Sequence, residues 1–429
     1  MNRIIVIGNG FDKAHGMKTG YRDFIDSYWT NVSDYVFNKY KRTIAKQFGI
    51  INNIDLYEDE FIEFQPIDRK QYKAMPKTPA GSDPYSQLQK FITDYIYRQP
   101  VQLVFKNQFF EHISGLCSLS NWVDIENEYY KQLKRLLKED NAQSRNEKVR
   151  RLNQDFDAVK KLLEHYLTET MQNTEVTPYA SIQMAFDSPV APNEVANGKH
   201  EMFVESIIKN IIRLDKKDVT TEDKELDPNY LFCRTPDEEH RYYVMKYMHD
   251  SFFRKTHCTP DETLILNFNY TTIAENLYAR KKDEIIHIHG ELGSDRNPII
   301  FGYGDELDDD YKEIEKLQDN DFLENIKSIR YHETGNYRRL LGFIESAPYQ
   351  AFVMGHSCGN SDRTLLNTLF EHPNCMSVKV FYHLREDGTD DHSSLVRNLS
   401  RNFNDKAAMR DTVVNKEQCS PLVPASKNN

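Results

Sequence analysis

The stretch Ile4-Ile5-Val6-Ile7-Gly8-Asn9-Gly10-Phe11-Asp12 decides how the rest of the chain is read. Four branched apolar residues in a row suit a parallel strand covered on both faces, where alternation is not required. Gly-Asn-Gly follows at once, where a side chain would block a tight turn or the approach of a ligand. Lys13-Ala14-His15 then reads as the opening of a helix that Gly16 cuts short. A strand, a glycine turn and a helix N-terminus make a corner suited to an anion. An ordinary strand-to-helix turn uses the same residues, so this corner alone decides nothing. The spacing G-x-G-x-x-G of dinucleotide-binding turns is incomplete, with Lys13 at the place of the third glycine.

Working outward, four further strands are predicted at 263–269, 284–290, 350–355 and 377–382, with a short one at 298–302. Helical patterns lie between them at 271–280, 311–346 and 362–371, and a last helix covers 393–403. Strands alternating with helices predict an α/β fold: an open, mostly parallel sheet with helices on both faces. Mainly helical sequence separates the first strand from the others. The economical architecture is a discontinuous core of 1–30 plus 260–405, a large helical insertion at 31–259, and a tail at 406–429 that is partly disordered, notably 420–429. Independent domains in series would leave the first strand without a sheet.

Tyr21–Trp29, at the end of the first core segment, reads as a helix, and within the insertion the proline-rich 66–84 reads as loop. Asn121-Trp122-Val123-Asp124-Ile125-Glu126 opens a helix that continues through Leu136. Val149, Leu152, Phe156, Val159, Leu163 and Tyr166 then recur at spacings of three and four, a narrow seam that suits helix pairing. An antiparallel hairpin within the chain satisfies it, and a dimer contact is the alternative. Residues 172–200 look irregular, and Val204–Ile212 marks an amphipathic helix. Residues 214–240 read as a surface loop, and Tyr242–Phe253 as a helix.

Composition narrows the class. The 429 residues carry a formal charge of −11, which opposes broad nucleic-acid binding. Mean hydropathy is −0.70, and no apolar run approaches the ~20 residues needed to span a bilayer. Met1-Asn2-Arg3 leads straight into the first strand, so no signal peptide is expected. The six cysteines are scattered without a C-x-x-C pair, which suits a reducing cytoplasm and argues against a zinc knuckle.

In an open α/β sheet, ligands bind beyond the carboxyl ends of the strands. The conspicuous polar residues fall there: Asn9 and Asp12 after the first strand, Asn267, Asn269 and Tyr270 at the second, His287 and His289 at the third, and His356, Ser357 and Asp362 after a later one. Any one of them could simply bond a neighbouring loop, and for His287, one residue deeper, that structural role is favoured. The histidine pair with Asp12, Asp362 and His356 could instead ligate a metal. Gly355-His356-Ser357-Cys358-Gly359 fits G-x-S-x-G by letter, but no acid–histidine pair follows in a convincing place, so a Ser357 nucleophile is not supported.

Ile7 to Thr19 with Tyr21 and Asp23-Phe24 resembles the opening signature of the AbiH family of bacterial phage abortive-infection proteins. Asn121–Glu126, Asn267-Phe268-Asn269-Tyr270-Thr271, His287-Ile288-His289-Gly290 and Gly355-His356-Ser357 follow in that family's order. More distantly, the same order is similar to sirtuin-like NAD-binding domains, including those of bacterial defence NAD hydrolases. That resemblance implies a Rossmann-like (sirtuin-like) core and NAD as substrate or ligand; no metal cofactor is expected. It implies Asn269 and His289 as catalytic residues. It further implies Gly8, Gly10, Asp12, Gly355, Ser357 and Asp362 as cofactor-binding, and Asn9, Phe11, Asn267 and Tyr270 are expected beside them from their places at the glycine turn and the strand ends. Thr271 departs from the pattern, standing where an acidic residue usually follows the asparagine, and the sirtuin zinc cysteines have no counterpart. A phage-derived trigger is the implied partner, and a homo-oligomer is compatible.

The chemistry suits these residue types. Cleavage of the nicotinamide–ribose bond passes through an oxocarbenium-like state and needs an oriented water. An asparagine can position that water with both donor and acceptor, and a histidine of ordinary pKa can accept its proton. Two rival readings stay open: a metal-dependent nuclease or phosphoesterase using Asp12, His287, His289 and His356, and a nucleotide sensor without turnover.

Overall fold

The computed structural model describes residues 1–46, 57–67, 82–95, 101–119, 124–215, 236–281 and 283–424. Eight strands are present among them: β1 (Asn2–Ile7), β2 (Ile62–Pro66), β3 (Val101–Phe105), β4 (Thr263–Asn267), β5 (Glu284–His287), β6 (Tyr349–Met354), β7 (Cys375–Tyr382) and β8 (Ser420–Pro421). Six of them form one sheet in the order β5-β4-β1-β6-β7-β8, and all five pairings are parallel. Counted along the chain, these six strands lie in the order 3-2-1-4-5-6, the doubly wound Rossmann arrangement, which reverses direction between β1 and β6.

β1 lies at the centre because all six of its residues are buried. Its alternate side chains serve two layers, since successive residues of a strand point to opposite faces. Ile4 and Val6 pack with Leu340, Phe343, Leu366 and Leu399, from the helices Asn336–Ser346, Arg363–Phe370 and His392–Asn402. Ile5 and Ile7 pack with Phe11, Phe186, Ile273 and Tyr278, from the helices Asn9–Ala14, Ala180–Phe186 and Ile273–Tyr278. Helices therefore cover both faces. A buried Arg3 fixes one of them: its guanidinium donates to the Phe186 and Ser188 carbonyls and to Gln350 Oε1.

A third core lies beside the sheet. The helices Ile125–Leu137 and Ala142–Asn173 form an antiparallel hairpin whose seam residues Val149, Phe156, Val159 and Leu163 are buried within the chain. Tyr129 stacks on Phe156, and Phe156 stacks on Phe301 at 4.7 Å between ring centres. The hairpin thereby packs directly against the segment that follows β5.

Several elements differ from expectation. The first helix begins at Asn9, so Asn9 and Gly10 are its first turn rather than a separate glycine loop. Residues 298–302 form no strand; their apolar side chains fill two cores. The helical stretch 311–346 is broken into Asp309–Lys316, Lys327–Arg330 and Asn336–Ser346, with 3-10 turns between. Tyr242–Phe253 is two helices, Pro236–Tyr247 and Ser251–His257, parted by the cap Asp250. β2 and β3 form a small antiparallel pair that includes Pro66, expected to be loop. The tail carries the helix Lys406–Thr412 and β8, so residues 420–424 are ordered against the sheet rather than disordered. The expected loop tracts at 68–81 and 216–235, Trp122 at the hairpin start and residues 425–429 lie outside the described residues.

Candidate functional site

The turns after β1 and β6 are pressed together at the carboxyl edge of the sheet. Gly10 donates its N–H to the Gly355 carbonyl at 2.8 Å, and Gly8 donates to Met354 O. Gly355 has φ of +73°, and a Cβ there would meet Phe11 N at 2.0 Å. These glycines are thus required by the contact between two turns. The Gly10 and Phe11 amides are spent on Gly355 O and Gly8 O, so the expected anion cradle keeps fewer free donors than its glycines suggest. Phe11 points away from this edge into the core beside His15 and Tyr278.

The turn after β4 is held from below. Asn267 accepts from the Asn269 N–H and donates to the Thr271 carbonyl and to Glu275. His287 on β5 bonds Glu275 Oε1 at 2.5 Å through Nε2 and the Asn269 carbonyl through Nδ1. Burial pulls the His287 pKa down, but Glu275 more than offsets this and leaves it raised. Asn267 and His287 therefore shape the turn that presents Asn269. Thr271, at the place of the missing acid, donates to Asp12 Oδ2 at 2.5 Å, so a carboxylate reaches this corner from the first helix instead. Burial pushes Asp12 up to about 7, against the opposing effects of Thr271 and Asn269. Asp12 Oδ1 and Asn269 Nδ2 have no partner within the protein.

A buried ionic network stands opposite. Lys327, wholly buried, donates to Asp362 Oδ1 at 2.8 Å and to Glu126 Oε2 at 3.0 Å. His289 Nε2 lies 3.2 Å from Asp362 Oδ1 and 3.2 Å from the Tyr331 hydroxyl. His356 accepts the Cys358 N–H at Nδ1 and turns Nε2 toward Asp362 Oδ2 at 3.5 Å. Burial alone would raise Asp362, but Lys327 and His289 hold it well below the usual carboxylate range. One ammonium cannot serve two carboxylates equally, and burial drives Glu126 upward. Burial and the Lys327 charge push His289 down to about 4. It is a neutral imidazole at neutral pH, a weaker proton acceptor than the ordinary histidine the sequence reading assumed.

Asp12, Glu126, Asn269, His289, His356 and Asp362 line one cleft of about 1240 Å³. Gly8 with Asn9, Gly10 and Asp12 of the first helix border it beyond β1, Asn269 and Tyr270 in the turn after β4, and His289 in the turn after β5. Gly355, Ser357 and Asp362 border it after β6. Phe11 and Asn267 do not line it. Beyond the switch between β1 and β6, the cleft continues past Phe381, Arg385, Leu395 and Asn398. Glu126, Lys327 and Tyr331 were missed as members of the site's network. Glu126 lies in the quoted Asn121–Glu126 motif, a signal that could have found it; Lys327 sits in a charged helical stretch without distinctive spacing.

Among the described residues, no three His, Cys, Asp or Glu side chains are grouped so as to hold a metal ion. Among the same residues, no helix is long and apolar enough to cross a membrane. No curated protein and no solved structure matches the chain significantly. The family described as bacteriophage abortive infection AbiH matches residues 4–384, nearly the whole sequence. The protein belongs to the AbiH family of bacteriophage abortive-infection proteins.

Proposed function

We propose that this AbiH-family protein acts in phage defence by binding NAD in the cleft and hydrolysing its nicotinamide–ribose bond when infection supplies a phage-derived trigger. One observation carries the reading. The cleft crosses the point where the strand order reverses, running from Asn269 and His289 on one side to Phe381 and Arg385 on the other. A doubly wound sheet binds a two-part nucleotide across that reversal, one half over each side. The nicotinamide riboside half lies at Asn269 and His289, and the second nucleotide half extends past Ser357 toward Arg385. Asn269 positions the ribose or the attacking water, and neutral His289, oriented by Asp362, hydrogen-bonds the ribose.

The metal-dependent rival needs Asp12, His287, His289 and His356 on one ion. His287 is turned instead to Glu275 and the Asn269 carbonyl. The NAD content of infected cells tests the proposal, with cells carrying N269A as the comparison. NAD should collapse after infection only where Asn269 is intact; equal NAD levels in both cultures would remove the basis of the reading.

A further inference from the structure

We propose that the corner of the cleft built from Tyr21, Leu163 and Tyr270 with the carboxylates of Glu126 and Asp362 seats the nicotinamide ring, and that it selects the oxidised, cationic ring over the reduced, neutral one. The assignment rests on the NAD-hydrolase reading above and names the part of the dinucleotide that the helical hairpin helps to recognise.

Five elements meet there. Tyr21 opens the helix Tyr21–Lys46, Glu126 lies in the first turn of the helix Ile125–Leu137, and Leu163 belongs to the helix Ala142–Asn173. Tyr270 follows Asn269 in the turn after β4, and Asp362 ends the 3-10 turn Asn360–Asp362. All five residues line the cleft. Tyr21 and Tyr270 are only partly buried, and the Glu126 and Asp362 side chains keep 8% and 10% exposure, so the corner is open to a ligand. Leu163 and the two rings pack in one apolar core, which braces them. Among the described residues neither tyrosine hydroxyl has a hydrogen-bond partner.

The charges there call for a cation. Burial raises both tyrosine hydroxyls, and Glu126 and Asp362 raise them further, which places both carboxylates near both rings. Lys327 is the one ammonium bonded to these carboxylates, and it is wholly buried and outside the cleft lining. Burial drives Glu126 upward in spite of Lys327, with Asp362 and Asp124 adding to the effect. The corner thus holds less positive charge than its carboxylates require. A flat cation supplies it, drawn both to the carboxylates and to aromatic rings. The free hydroxyls suit a carboxamide, which donates and accepts. The nicotinamide ring of NAD is flat and cationic and carries one carboxamide; the ring of NADH lacks only the charge. Cleavage returns the electron pair of the C1′–nitrogen bond to the ring, which then leaves neutral and loses this hold.

The experiment measures binding of NAD and of NADH to the purified full-length protein by calorimetry, for the wild type, E126Q and Y270L. In parallel it follows nicotinamide release from NAD by the wild type with extract of phage-infected cells. The two dinucleotides share both riboses, the pyrophosphate and the adenine, so the ratio of their affinities reads the ring alone. The wild type should bind NAD about tenfold more tightly than NADH, the size of a partly desolvated cation–aromatic contact. E126Q keeps the shape and removes the charge; Y270L keeps an apolar side chain and removes the ring. Each should weaken NAD by about three- to tenfold and leave NADH nearly unchanged. A wild type that binds both equally overturns the assignment while nicotinamide release stands. Variants that keep the full ratio, or that weaken both dinucleotides alike as a merely structural role would, overturn it in the same way. If E126Q does not fold, Y270L decides alone. A wild type that releases no nicotinamide overturns the hydrolase reading itself, and this assignment with it.

Discussion

Lys327, wholly buried, holds one positive charge between two largely buried carboxylates, Glu126 and Asp362, at 3.0 and 2.8 Å. Breaking a buried ionic group by removing one member costs about 3–5 kcal/mol, because the charges left behind stay desolvated. K327M should therefore be destabilised by about that amount in denaturant unfolding, and adding E126Q should restore part of it. Lys327 also depresses His289, so the imidazole pKa of K327M, followed by NMR, should rise. Asp12 makes a second prediction with the sign worked out. Its folded pKa is raised to about 7 from an ordinary 3.8, so its favourable contribution is full below 3.8 and is lost as pH rises through 7. D12N lacks this loss, so its stability relative to wild type should improve steadily between about pH 4 and 7. A constant difference across that window contradicts a raised Asp12. At this scale the sequence was legible where polar residues gather just beyond strand ends, as for Asp12, Asn269 and His289, which line one cleft. It was silent on Lys327, whose role depends on a helix folding back over the cleft.

The turns after β1 and β6 show what an element demands of its residues. G355A places a Cβ at 2.0 Å from Phe11 N on a backbone with φ of +73°, so the two turns must separate and the cleft edge with them. Gly342, inside the helix Asn336–Ser346, has open space around a Cβ. G342A should raise the melting temperature, by about 0.5–1 kcal/mol of helix stability, whereas G355A should lower it sharply. Thermal unfolding of the two variants side by side checks both. The hairpin gives a further case: F156A removes the ring stacked on Tyr129 and Phe301 and should cost about 3–5 kcal/mol. The long apolar strands β1, β4, β6 and β7 were readable because their runs are buried on both faces. β8 was not, since two residues, Ser420 and Pro421, carry no periodicity and gain their place only from the edge of β7. The apolar run 298–302 misled for the opposite reason: its side chains fill cores without joining the sheet.

At the scale of the whole molecule, β1 lies between β4 and β6, which begin some 260 and 350 residues into the chain. The alternation of strands and helices predicted a parallel sheet. The order 3-2-1-4-5-6 was not in the sequence, because strand neighbours are chosen by helix packing on two faces. That order brings the turns of β1, β4, β5 and β6 to one edge, where the cleft extends past the end of β7. The hairpin adds Glu126 from outside the sheet, so the site draws on both the strand ends and the intervening helices. The most direct test of the account is nicotinamide release from NAD by the purified full-length protein, incubated with extract of phage-infected cells, with and without chelator. The account predicts nicotinamide and ADP-ribose in equal amounts, unchanged by chelator and abolished in N269A. NAD left intact by the wild type, or turnover that N269A retains in full, would contradict it.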